Sequence, residues 1–146
     1  MRTVLGDGQD IASFVQNNQD DITAALATAG AILLRGFTLG GTEIDGLARL
    51  LGFSPFTTYI PGIAPRKAYT PSSPSVFTST EAPPHLPILP HTEMTYWPGP
   101  PDILLFQCKS LEPGFAAANE TVVFDTRAAA AELDPKLLAK LEQVKP

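Results

Sequence analysis

Apolar residues recur at intervals of three and four through the first thirty positions, at Ile11, Phe14, Val15, Ile22, Leu26 and Ala29. That period predicts helix, and Gly30 is the expected stop. The polar run over 16–21 (QNNQDD) can divide it into two helices. Residues 31–34 (AILL) are a short unbroken apolar run, which predicts a strand covered on both faces and ended by Arg35, Gly36 and Phe37. Thr42 and Asp45 have the spacing of a capping box, after which Ile44, Leu47 and Leu51 put one apolar stripe on a helix that Gly52 closes.

The periodicity then stops. Of the fifteen prolines, twelve lie between Pro55 and Pro101. Proline lacks an amide donor and fixes its own φ, so this segment is expected as loops and short strands, not helix. Residues 76–78 (VFT) and 57–59 (TTY) are the short strand candidates. Residues 103–108 (ILLFQC) and 121–124 (TVVF) are stronger ones, rich in side chains that suit a buried pleated surface. A helix is expected over 127–133, and Asp134-Pro135 forms an N-cap and first-turn pair opening another that carries Leu137, Leu138 and Leu141. No repeat or linker interrupts the chain. It is expected to be one domain over 1–146: helix–strand–helix over 1–52, proline-rich loops over 53–101, strands and terminal helices over 102–146.

Composition narrows the class. A chain of 146 residues, 44% apolar and 17% charged, can bury one substantial core. The formal charge of −5 disfavours nucleic acid or an anionic membrane as the main partner. A single cysteine, Cys108, excludes an internal disulfide and a multi-cysteine zinc site. No run is long enough to span a bilayer, and Met1-Arg2-Thr3 does not open a leader peptide, so a soluble cytoplasmic protein is expected.

His91-Thr92-Glu93 is the most informative triplet. In an extended strand residues i and i+2 share a face, so imidazole and carboxylate would converge. Together they make two thirds of the 2-His-1-carboxylate set that holds non-haem Fe(II). A surface His beside a surface Glu is the plainer alternative. His85, in the loop 83–87 (PPHLP), is separated from His91 by Pro87 and Pro90 and is expected to be a solvent-exposed loop histidine. Pro84, Pro87 and Pro90 have the spacing that proline-binding modules recognise, without a flanking Arg or Lys. Cys108 closes an apolar segment and is expected as a buried core thiol. There is no Gly-x-Ser-x-Gly elbow, and 36–41 lacks the Lys-Ser/Thr of a phosphate loop. Tyr96-Trp97 can line a pocket or the core. Thr121 opens a strand candidate, and its hydroxyl can bind a carboxylate or merely be a β-branched residue in its preferred place.

Five segments in order, 31–37 (AILLRGF), 59–66 (YIPGIAPR), 76–81 (VFTSTE), 89–96 (LPHTEMTY) and 120–127 (ETVVFDTR), resemble the taurine dioxygenase (TauD/TfdA-like) family of Fe(II)/2-oxoglutarate-dependent oxygenases. The branch near clavaminate synthase and the syringomycin-biosynthesis hydroxylases looks most similar. The likeness runs from Ala31 to the C-terminus. It implies an α+β, mainly β fold: the N-terminal part of a double-stranded β-helix (jelly roll) with flanking helices. It also implies Fe(II) and 2-oxoglutarate as cofactors, His91 and Glu93 as metal ligands, and Thr121 as a contact to the 2-oxoglutarate carboxylate. Glu93 stands where related halogenases carry a small residue, so hydroxylation is implied.

Two departures from the family pattern accompany the resemblance. The family's distal iron-binding histidine and its 2-oxoglutarate-binding arginine belong to the C-terminal half of the barrel, which is expected to be missing from this chain. The turn before Thr121 reads Ala118-Asn119-Glu120 where the family usually has Gly-Gly-Glu. The expected function is therefore a dioxygenase acting on a small-molecule metabolite of the antibiotic or secondary-metabolite kind, present as an N-terminal fragment inactive alone. The alternatives are a truncated non-catalytic binding or assembly module, self-associating through unpaired strand edges, and a Zn or Mn hydrolase using the same pair.

Overall fold

A computed structural model of the chain describes residues 1–57, 66–70, 73–79, 83, 85–109 and 121–144. The chain divides into two compact units, Met1–Glu112 and Pro113–Pro146.

The first unit opens with a strand that the apolar pattern does not announce, β1 (Arg2–Leu5). Its partner is β2 (Ile32–Arg35), parallel and in register from Arg2↔Ile32 to Leu5↔Arg35. Parallel pairing needs a long crossover, and two helices provide it. These are α1 (Ile11–Asn17) and α2 (Gln19–Ala29), divided at Asn18 as the polar run predicts. Asp10 caps α1, its carboxylate accepting from the Ser13 amide and hydroxyl, both at 2.9 Å. Gly30 ends α2 at φ +72°, a left-handed position that favours glycine.

α3 (Ile44–Leu50) follows the second strand. Ile11, Val15, Ile22 and Leu47 bury together, with Val15 only 1% exposed. Ile32 and Leu34 pack against this core. β2 is half-buried and not covered on both faces as its unbroken apolar run suggests, because a two-stranded sheet offers a single packed side. Phe14 and Phe37 meet with ring centroids 4.8 Å apart.

The expected capping box does not form. The N-cap is Glu43, so Asp45 falls one position too early to reach back. Its carboxylate instead accepts from the Gly46 amide at 3.0 Å and pairs with Arg49 at 3.0 Å.

No helix occurs among the described residues of 53–101, as the prolines dictate. β3 (Ala68–Thr70) and β4 (Ser73–Phe77) form an antiparallel pair with an irregularity between Ala68 and Thr70. β4 overlaps the expected 76–78 strand; of the other candidate, Thr57 is not in a strand and 58–59 lie outside the described residues.

Residues 103–108, expected as a strand, carry no ladder among the described residues. Strand propensity alone does not make a strand; a neighbouring chain must accept its backbone hydrogen bonds.

In the second unit, residues 121–124 likewise lack a ladder among the described residues, and Val122, Val123 and Phe124 are exposed. The two helices expected there are present as α4 (Thr126–Ala131) and α5 (Pro135–Gln143). Asp125 and Asp134 cap them, the latter accepting from the Lys136 amide at 2.7 Å. The described residues thus form a small α+β structure with short sheets. None of its helices is long and apolar enough to cross a membrane.

Candidate metal centre

The β3–β4 hairpin fixes one wall of the site. Lys67 is held twice by Thr78: its amide donates to Oγ1 at 3.0 Å, and its carbonyl accepts from the Thr78 amide at 2.9 Å. Arg66 is the next residue back along the chain. Its guanidinium Nη2 donates to Glu93 Oε2 at 2.9 Å, and both side chains are largely withdrawn from water, at 18% and 13% exposed. Charges so far from solvent require a partner, and these two partner each other.

Glu93 opens a tight turn closed by Trp97, whose amide donates to the Met94 carbonyl at 2.9 Å. Met94 adopts φ +54°, unusual for a residue with a side chain, and is buried. Left-handed backbone costs roughly 1 kcal/mol or more, which packing of the thioether chain offsets.

His91 lies just before this turn. Its Nδ1 is 2.7 Å from the Leu89 carbonyl. A carbonyl can only accept, so Nδ1 carries the proton in the neutral ring and Nε2 presents a lone pair. Nε2 stands 3.8 Å from Glu93 Oε2. The pair expected to converge from a strand does converge, but on an irregular segment running into a turn.

This donor arrangement suits a metal ion. Two ligand atoms each about 2.1 Å from one ion can stand no more than ~4.2 Å apart, and about 3 Å when adjacent in an octahedron. The observed 3.8 Å lies within that limit, and the imidazole is 56% exposed. A histidine whose far nitrogen is tied to a backbone carbonyl is oriented as metal-bound histidines usually are. Arg66 uses one lone-pair direction of a carboxylate that has about four. His91 and Glu93 are thus two side chains whose chemistry and spacing are compatible with holding one metal ion. Among the described residues no group of three or more His, Cys, Asp or Glu converges to complete a site.

The other candidates lie elsewhere. His85 sits on an exposed turn in which the Leu86 amide donates to the Pro83 carbonyl at 3.0 Å. Cys108, expected as a buried core thiol, is exposed, and residues 103–108 are in no sheet among the described residues. Tyr96 is exposed and Trp97 half-buried. Thr121 is exposed, in the second unit, and residues 118–120 lie outside the described residues. Arg66 ends the 59–66 segment of the family resemblance, but local sequence assigns it no role, because its partner lies 27 residues away.

An imidazole and a half-buried carboxylate one residue apart, on a small α+β scaffold, make a candidate two-donor metal site. The family described as taurine catabolism dioxygenase TauD, TfdA family matches residues 4–145, and the chain belongs to it. The match takes in the end of β1 and the first helices as well as the segments from Ala31 onward. The family is in general one of Fe(II)/2-oxoglutarate-dependent dioxygenases with a jelly-roll-type fold. No curated protein and no solved structure matches the chain.

Proposed function

We propose that this chain carries the first two iron-binding positions, His91 and Glu93, of a 2-oxoglutarate-dependent dioxygenase of the hydroxylase type. Its substrate is a small-molecule metabolite, and its described strands belong to the N-terminal part of a double-stranded β-helix. The observation that carries this reading is the approach of His91 Nε2 to Glu93 Oε2, 3.8 Å apart, in a chain of this family.

Bound Fe(II) and 2-oxoglutarate would supply the oxidation of a substrate C–H bond coupled to decarboxylation of the cosubstrate. The chain's own residues supply placement. The Leu89 carbonyl holds the imidazole through Nδ1, which would leave Nε2 to bind the ion. Glu93 would contribute negative charge and a carboxylate oxygen to a bound ferrous ion. Thr121, which the family resemblance points to, would be the candidate donor to a carboxylate of the cosubstrate.

Only two histidines occur in the chain, His85 and His91, and no third donor joins the pair among the described residues. The 146-residue chain is therefore expected to bind Fe(II) without turning over. Anaerobic equilibrium dialysis and succinate formation test both halves. The expected result is iron uptake that His91→Ala and Glu93→Ala each abolish, with no succinate. Uptake indifferent to both substitutions contradicts the site, and clear succinate formation contradicts the inactivity.

One observation favours a second reading, a non-catalytic assembly module. Apolar side chains stand exposed on segments that carry no ladder among the described residues: Leu104 and Phe106 at 45% and 60%, Val122 at 68%. Such segments offer backbone to a second copy. Size-exclusion chromatography separates the readings, since a concentration-independent monomer counts against the module.

A further inference from the structure

We propose that Arg66 is a positioning residue for Glu93, holding the carboxylate where it can share an ion with His91; this rests on the metal-centre reading above. Three separated stretches of the chain meet at this point. The Lys67–Thr78 hydrogen bonds pin the backbone next to Arg66. The guanidinium then reaches across 27 residues to Glu93 Oε2. His91 Nε2 approaches that same oxygen.

A glutamate has three side-chain torsions, and ordering it costs conformational entropy. It is also 13% exposed, so without a cation its charge would draw it out toward solvent and away from the imidazole. Arg66 opposes that. The planar guanidinium donates along a fixed direction and cannot lose its proton, so it orients the carboxylate without taking all of its lone pairs. Repulsion between guanidinium and a divalent ion works the other way. It is shared through a carboxylate that can face both, and the cation's charge is delocalised. Holding a ligand through its outer partner is commonly worth a 10- to 100-fold gain in metal affinity, and this sets the expected size of the effect.

The experiment titrates Co(II) into the full chain and follows its visible absorption, with the apo far-UV spectrum as a check on folding. Arg66→Gln is expected to weaken Co(II) about 10- to 100-fold and to change the band shape. Arg66→Lys, which restores a cation but not the fork, is expected to recover part of the loss. Equal or tighter binding by Arg66→Gln overturns the proposal and makes Arg66 a competitor for the carboxylate. If Arg66→Gln does not fold, the Arg66→Lys protein decides, since a wild-type spectrum and affinity there would leave no role for directed orientation. Absence of Co(II) binding by the wild-type chain overturns the metal-centre reading, and this proposal with it. Loss confined to the Arg66 variants leaves both standing.

Discussion

Residues 1–52 and residues 66–109 are built by different means. In the first region helices and a parallel ladder satisfy the backbone, and the side chains between them close a core around Val15. In the second there is one irregular hairpin, and much of the order comes from individual side chains: Thr78 on Lys67, Arg66 on Glu93, Lys109 on Glu43. Among the described residues there, the one buried side chain beyond the hairpin is Met94, in a left-handed turn. The stable scaffold and the candidate chemistry thus lie in different parts of one unit. A region held by a few directed contacts can place an imidazole and a carboxylate accurately with little core beneath them, and it depends heavily on each contact.

That contrast can be broken by substitution, beginning where the effect is largest. Leu47→Ala, in the core, is expected to cost about 2–5 kcal/mol. Leu104→Ala, exposed in the second region, should cost within about 0.5 kcal/mol. Urea denaturation of both variants measures the difference, and similar losses would remove the distinction between the regions. Gly6→Ala comes next. A Cβ there would run into the ring of Phe37, and the expected loss is roughly 1–3 kcal/mol in the same assay.

Acid sensitivity sharpens the comparison at the first helix. The Ser13 amide and then the Ser13 hydroxyl, both donating to the Asp10 carboxylate, hold its pKa below the ordinary value of 3.8. Because the folded pKa is the lower one, the cap's contribution is fully present above the unfolded value. It fades as pH falls through the folded value. Far-UV circular dichroism should therefore show acid loss of helicity below about pH 4, diminished in Asp10→Asn, which keeps the cap but cannot titrate. An unchanged acid profile in that variant would rule out the cap as a source. The smallest effect expected is at Lys109. Its ion pair with Glu43 is 3.0 Å long, but both groups are about a third or more exposed, so Lys109→Ala should cost about 0–1 kcal/mol in the denaturation midpoint.

How far the sequence could be read follows the same division. The two N-terminal helices were legible because Ile11, Val15 and Ile22 repeat with the helical period and bury on one side. Gly30 and Asp134 were legible because caps are local chemistry. β1 was not: four residues with Val4 and Leu5 as its only apolar members form a strand because Ile32–Arg35, thirty residues on, offers hydrogen bonds. Residues 103–108 show the converse, a strong local preference that carries no ladder among the described residues. At the candidate site the spacing of His91 and Glu93 marked the pair. Nothing nearby in the sequence marked Arg66, because an ion pair across 27 residues has no periodic signature. The exposed Cys108 departs from expectation for a related reason: burial depends on what packs over a segment, which its own composition does not state.

The most direct measurement is a double-mutant cycle on ferrous-ion affinity, comparing the wild-type chain with His91→Ala, Glu93→Ala and the double substitution under anaerobic conditions. If both side chains grip one ion, either single loss should remove nearly as much affinity as the double, a strongly non-additive result. Independent, additive losses, or a substitution at either position that leaves affinity unchanged, would contradict a shared metal centre.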